Sequence, residues 1–377
     1  MTPSGRHDSR RARARPIDPR RPWARWQLPE LLAASDLDCL PEEPFPHDGW
    51  SGSSLSLIDR GDRRFVLKRT SAALDWIVRA TRDHHLRESW FANALASIGP
   101  DSAWIRMTSP YLGAAVDGDG AAILMPDLSG ELIAWERPSL EPGLPESLLV
   151  SVLTTAARLH FIGRRVPAEG SVPWCLLPER ILLLTRPAAE GYQADGNPVG
   201  ERFIAGWDAF DRQAPRAARG LVRRLADDPQ PLVAALNKLP STMLHGDLKL
   251  SNVASLAEGI AFIDWQMATF APVAVELGWF LVSNVAQLPE SPETTLQRYR
   301  AIVAAMARDS GLDPERDAGL GDWDAQVDLA MLVGLLLRGW RKGLDAEAGL
   351  VLPTGVTAAD DLAWWSDRAL EAAARRL

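Results

Sequence analysis

The sequence predicts an α+β fold, with strands gathered in the first third of the chain and helices filling the rest. Short apolar runs at residues 55–58, 65–67 and 121–125 have the length and turn-bounded setting of strands. After residue 145 the apolar positions recur at helical spacing, and no internal repeat appears. A chain of 377 residues can bury a large core, and its length suggests two or three domains.

The elements follow in order. Gly49-Trp50-Ser51-Gly52-Ser53-Ser54 is a small-residue turn entering a first strand, and its small side chains, Ser53 and Ser54 among them, would let backbone N–H groups approach phosphate oxygens. Residues 59–64 form a connecting turn, and Arg64-Phe65-Val66-Leu67-Lys68 is a second strand whose lysine leaves an apolar run. In residues 85–95 the side chains of Leu86, Trp90, Ala94 and Leu95 fall near one helical face, and Glu88 is the only Glu between Arg69 and Pro100. A third strand, Ala121-Ala122-Ile123-Leu124-Met125, stops at Pro126-Asp127-Leu128. Helices are then expected near residues 145–161, 200–226, 231–238, 296–309, 325–342 and 358–376, with a loop-rich interval at 167–198.

Composition narrows the setting. Two distant cysteines, Cys39 and Cys175, make no metal or redox motif and no disulfide scaffold, so a cytoplasmic protein is expected. The longest apolar runs fall short of the roughly 18 to 20 residues of a membrane span. The first 25 residues hold eight Arg against two Asp, a local balance of +6 that leaves −14 on a remainder whose total with it is −8. Residues 1–28 read as a basic, disordered tail, and the acidic body argues against nucleic acid as main partner and mildly for a cationic one.

The chemistry is carried by His245-Gly246-Asp247-Leu248-Lys249-Leu250-Ser251-Asn252 and, twelve positions beyond Asn252, by Asp264 in the apolar run Ala261-Phe262-Ile263-Asp264-Trp265. An Asp and an Asn in a turn ordinarily hydrogen-bond their own backbone. In company with Lys68 and Glu88 the set suits phosphoryl transfer, which asks for positioning and charge neutralisation more than covalent chemistry. Asp247 would orient an acceptor hydroxyl, Asn252 and Asp264 would offer hard oxygen ligands to Mg2+, and His245 would brace the loop.

The ordered set of small-residue turn, Lys68, Glu88, strand to Met125, Asp247, Asn252 and Asp264 resembles the protein-kinase-like superfamily, and within it the aminoglycoside phosphotransferase and choline kinase group. The wording His-Gly-Asp and Ile-Asp-Trp, Ala157-Arg158-Leu159-His160, and Pro272 with Glu276-Leu277 are similar to the small-molecule branch. The resemblance implies a bilobal fold: an N-lobe of residues 29–126 with an antiparallel sheet and one helix, and a larger, mainly helical C-lobe of residues 127–377. It implies ATP and Mg2+ as cofactors, a hinge at Met125 pairing with adenine, an ion pair of Lys68 with Glu88, and a small-molecule hydroxyl acceptor. An acceptor pocket built by C-lobe helices could draw on Asp208, Asp211, Asp322, Asp324, Trp207, Trp279, Trp323, Trp340, Trp364 or Trp365.

Lys249 follows Asp247 by two positions, as in Ser/Thr protein kinases, and reads as an added phosphate contact. Only seven residues separate Asp264 from Pro272, too few for a peptide-binding activation segment, which sets a protein kinase second. A catalytically silent kinase-like binding protein is a third reading, opposed by the completeness of the set.

Overall fold

The computed structural model describes residues 20–46, 49–97, 110–133, 143–166, 172–313 and 319–377, and it has the α+β, two-lobed architecture expected. Helix α1 (Leu28–Ala34) precedes strands β1 (Glu42–Pro44), β2 (Ser54–Asp59) and β3 (Arg64–Thr70). Helices α2 (Trp76–Ala80) and α3 (Arg87–Ser97) follow, then β4 (Gly113–Asp117) and β5 (Gly120–Pro126). The five strands form one antiparallel sheet in the order β1-β2-β3-β5-β4.

The two faces of this sheet follow from strand alternation. Phe65 and Leu67 of β3, with Ala122 and Leu124 of β5, join Leu31 of α1 in a small separate core. Val66, Lys68, Ile123 and Met125 point the other way, toward the larger core and the cleft between the lobes. In β3 only the opposite parity would turn Lys68 away from the cleft, so the apolar pattern of five residues sets where the lysine goes.

Two N-lobe expectations need correction. Folded structure begins before residue 29: Trp23 is buried, its indole N–H donating to His85 O at 3.2 Å, and the Trp26 carbonyl accepts from Val116 N. Of the expected tail, residues 1–19 lie outside the described residues. Helix α3 begins at Arg87 and turns Glu88, Phe91 and Ala92 inward, with Trp90 half-buried, because Leu86 precedes the helix with φ 52° and does not share its face.

In the C-lobe α4 (Glu146–Gly163) leads to α5 (Leu177–Leu182) and α6 (Arg186–Ala194), so the interval read as loop-rich holds two short helices, each with Pro in its first turn, where a missing N–H costs nothing. The single helix expected over 200–226 is two, α7 (Pro198–Gln213) and α8 (Arg216–Asp227). Ala214 between them is extended at ψ 151°, as a residue preceding proline prefers. Next come α9 (Gln230–Leu236), β6 (Thr242–Leu244), β7 (Val253–Leu256), β8 (Gly259–Phe262) and β9 (Thr269–Ala271). Helices α10 (Val273–Asn284), α11 (Pro292–Asp309), α12 (Trp323–Glu347) and α13 (Ala358–Arg376) complete the lobe.

Helix α10 is buried at every position, and at its crossing with α12 a Cβ on Gly278 would lie 2.3 Å from Ala330 O, so only glycine allows this approach. The two short ribbons β6-β9 and β7-β8 then hold the loops bearing Asp247 and Asp264 above that packed floor.

Candidate active site

The geometry starts at Lys68. Its Nζ lies 2.6 Å from Glu88 Oε2 and 2.9 Å from Asp264 Oδ1, so one ammonium joins β3, α3 and the loop after β8. Burial alone would lower the lysine pKa, but the two carboxylates outweigh it and hold Lys68 charged. Burial also raises Asp264, yet the charges of Lys68 and Lys249 prevail and keep its carboxyl below the usual range. Glu88, deeper in the lobe, is pushed up by burial and by the neighbouring Asp264 charge. Tyr111 adds a contact that nothing in the sequence pattern announced: its hydroxyl donates to Glu88 Oε1 at 2.6 Å and accepts the Asp264 amide N–H at 2.8 Å. Asp264 itself sits in the left-handed region at φ 67°, a conformation that costs a non-glycine residue about 1–2 kcal/mol and is held here by these bonds.

The 245–252 loop is fixed from below. Gly246 has φ +84° and a Cβ there would fall 1.8 Å from Met267 O, so the turn requires glycine. His245 donates from Nε2 to Ile263 O at 2.9 Å and accepts the Asp247 amide at Nδ1, which assigns its tautomer. Burial pushes the His245 pKa down, favouring that neutral form. Asn252 Nδ2 donates to both the Asp247 carbonyl, at 2.9 Å, and Oδ2, at 3.0 Å, leaving its amide oxygen as a hard donor.

Two cavities meet at Asn252 and Asp264. The first, of about 180 Å3, is lined by Leu55, Val66, Met125 and Ile263, by Pro126, Asp127 and Leu128 at the lobe junction, and by Lys68 and Glu88. The second, of about 310 Å3, contains Asp247 and Lys249 and is walled by Trp50, Trp76, Phe203, Trp279 and Trp340 with Arg180 and Arg338. This arrangement can seat one anionic, flat-bodied ligand beside the lysine and a second molecule beside Asp247.

Residues 42–312, well over half of the chain, match the phosphotransferase enzyme family. The chain belongs to that family. Among solved structures, choline kinase from Cryptosporidium parvum Iowa II is similar at TM-score 0.47 and 11% identity, covering 89% of this chain and 88% of that one. Choline kinase LicA from Streptococcus pneumoniae gives 0.46 and 11%, covering 91% and 97%. An aminoglycoside-3'-phosphotransferase of type VIII gives 0.39 and 19%, covering 79% and 93%. A search of curated proteins finds no match.

In this phosphotransferase Lys68, Glu88, Asp247, Asn252 and Asp264 converge, and Met125 lines the first cavity. Other candidates fall differently. Ser53 lines the first cavity but commits its hydroxyl to Asp75 at 2.7 Å, while Ser54 is exposed and lines neither cavity; Gly49 and Ser51 line both. Lys249 lies in the second cavity, with Nζ 3.1 Å from Asp247 Oδ2.

Of the candidate pocket residues only Trp279 and Trp340 line the second cavity. Asp208 pairs with Arg186, Asp211 with Arg223, Asp322 caps α12 and Asp324 is exposed. Trp207 donates to Leu184 O, and Trp323 and Trp365 are buried in the core, with Trp364 packed against it.

The sequence reading missed three polar contacts. Asp75 caps α2 and also accepts from Ser53 and from Gln266 Nε2, tying the small-residue turn to the segment after Asp264; an Asp directly before Trp76-Ile77-Val78 is a helix-start signal that could have marked it. Tyr111 carries no such signal. Arg180 lies in the interval read as loop, where no periodicity drew attention to it.

Proposed function

We propose that this phosphotransferase moves the γ-phosphate of ATP to a hydroxyl group of a small molecule. The observation that carries the reading is the adjacency of the two cavities: Lys68 lines one, Asp247 lines the other, and Asn252 and Asp264 line both. ATP would occupy the first cavity, its adenine against the backbone near Met125 and its phosphates toward Lys68, whose direction Glu88 sets. The residues present fit Mg2+. Asp264 and Asn252 offer one carboxylate and one amide oxygen, and among the described residues no cluster of three or more His, Cys, Asp or Glu builds an all-protein cage. A cation completed by phosphate oxygens and water suits that sparse set, and when bound it would neutralise phosphate charge.

Asp247 would orient the acceptor hydroxyl and take its proton as the oxygen bonds to the γ-phosphorus. The bond from that phosphorus to the bridging oxygen breaks, and ADP leaves. Lys249, beside Asp247, supports an added contact to the transferred group. A protein acceptor finds little support, since the segment after Asp264 is spent on a short helical turn (Trp265–Met267) and on β9, which pairs with β6.

The test is mass spectrometry of hydroxylated antibiotics, amino alcohols, sugars and hydroxy acids after incubation with the protein and Mg-ATP, with Asp247→Ala alongside. A compound gaining one phosphate only with the unaltered protein supports the reading. Transfer equally fast with Asp247→Ala would sink the assignment of Asp247, and neither transfer nor Asp264-dependent ATP hydrolysis would favour a silent binding protein.

A further inference from the structure

Arg180 is 1% exposed and lines the second cavity. Its Nε donates to Gly246 O at 2.6 Å, but Nη1 and Nη2 are buried and have no hydrogen-bond partner among the described residues. Four N–H bonds of a guanidinium are thereby shut away from water without acceptors, and burial pushes the pKa of the group down. Arg338 of α12, 5% exposed, lines the same cavity.

The remaining charges of the cavity do not supply the missing acceptors. Its lining carboxylates are Asp247 and Asp264, and the first is engaged with Asn252 and Lys249, the second with Lys68. Three of the five aromatic walls are committed as well. The Arg180 guanidinium lies 4.7 Å from the Trp279 ring centroid, Arg338 lies 5.5 Å from Trp279 and 5.2 Å from Trp340, and Arg202 lies 5.1 Å from Trp50. An ammonium seeking an aromatic cage would meet ring faces already occupied by cations, with like charge beside it. The pocket is locally cationic although the chain is acidic overall, which reverses the preference drawn from net charge alone.

We propose that the acceptor is an anion: a hydroxylated molecule with an apolar body whose carboxylate or phosphate group is received by the two terminal nitrogens of Arg180, with Arg338 beside it. A planar guanidinium offers two parallel N–H donors to such a group, and Trp76 and Phe203 supply apolar contact for the body. This rests on the phosphotransferase reading for the identity of the second cavity as the acceptor site. Arg338 and Trp340 lie beyond the span that matches the family, so this wall is contributed by the C-terminal helices of this chain.

The test uses hydroxymethyl-substituted aryl and alicyclic compounds, each prepared as carboxylate, phosphate monoester, amide and amine. Binding to the full chain is read from quenching of tryptophan fluorescence, and transfer from Mg-ATP is followed in parallel by mass spectrometry. The anionic members should bind about 10- to 100-fold tighter than the amides, and the amines weakest. The carboxylate and phosphate series separate the two sources of negative charge.

Arg180→Gln should erase the preference and Arg180→Lys should keep part of it, a rescue that a purely structural role would not produce. Amides or amines binding as tightly as the anions would overturn the proposal. So would failure of every anionic member to bind, or an unchanged preference in a folded Arg180→Gln protein. If that variant does not fold, the ranking in the unaltered protein still decides. Anions that bind but never receive phosphate would leave the anion site at Arg180 standing and bring down the phosphotransferase reading of the cavity. Transfer to amines in preference would do the reverse.

Discussion

The Gly246 amide donates to Glu276 Oε1 at 2.6 Å, which joins the loop carrying Asp247 to the buried helix α10 thirty residues further on. The other carboxylate oxygen accepts from the His245 amide at 3.0 Å and from His160 Nε2 at 2.8 Å, and His160 Nδ1 is bonded in turn to the Tyr299 hydroxyl. One side chain therefore satisfies two backbone donors of the 245–252 loop and anchors them to α4 and α11.

Glu276→Gln replaces one acceptor oxygen by a donor and leaves at least one buried N–H unpaired, so it should cost about 1–3 kcal/mol of stability. Glu276→Asp keeps the charge but draws it back by one methylene, and should lower transfer more than it lowers stability. Urea midpoints and transfer rates of the two variants check this. If both match the unaltered protein on both measures, the loop is held by something other than Glu276.

The Lys68 ammonium serves two carboxylates, so the two sides of the triad should respond differently to mutation. Lys68→Met should reduce transfer about 100-fold or more by removing its proposed contact with the ATP phosphates. Glu88→Gln keeps a hydrogen-bonding partner and should act mainly on the KM for ATP. Steady-state kinetics with ATP varied would decide, and equal losses in kcat from both changes would argue that Glu88 does more than direct the lysine.

Tyr111→Phe removes a hydroxyl that bridges Glu88 and the Asp264 backbone while keeping the ring. The Asp264 N–H would lose its acceptor at a backbone conformation that is already strained. A loss of about 1–3 kcal/mol is expected, with a weakened affinity for Mg-ATP. Thermal unfolding with and without Mg-ATP measures both, and a variant that keeps full nucleotide affinity would show that Asp264 needs no such support.

Stability should fall in acid in two stages. The His245 pKa is depressed by burial below its ordinary 6.5, so below that value the unfolded chain takes up a proton that the folded chain resists, and stability declines until the lower folded value is passed. Glu276, although burial raises its pKa, is held below 4.5 by the hydrogen bond and charge of His160, so its contribution is complete above 4.5 and is lost as pH falls through its folded value. Urea midpoints across this range should show both slopes, and His245→Gln should flatten the upper one. An upper slope that survives in His245→Gln would assign it to another group.

Much of the site was legible from residue order because its parts sit at strand ends and in a short loop, where local pattern sets direction. The parity of β3 aims Lys68, and the fixed distance from Asp247 to Asn252 lets one side chain bond the other. The expected Lys68–Glu88 pair joins β3 to α3 across only 20 positions, and its chemistry needs no knowledge of the C-lobe.

Other features depended on residues far apart in the chain. Arg180 meets Gly246 across 66 positions, Tyr111 meets Asp264 across 153, and Gln266 meets Asp75 across 191. No periodicity records such partners, because each is selected by the packing of whole elements rather than by its neighbours in sequence. Helix content was misread for a related reason: the short helices α5 and α6 draw their stability from burial of residues such as Ile181 and Ala189, not from length or propensity. The chain order of strand lysine, helix glutamate and loop carboxylates points toward phosphoryl transfer, since local geometry suffices to express it. The sign of charge in the second cavity arises only when α5, α7, α10 and α12 pack together, because net composition counts charges without saying which of them are buried side by side.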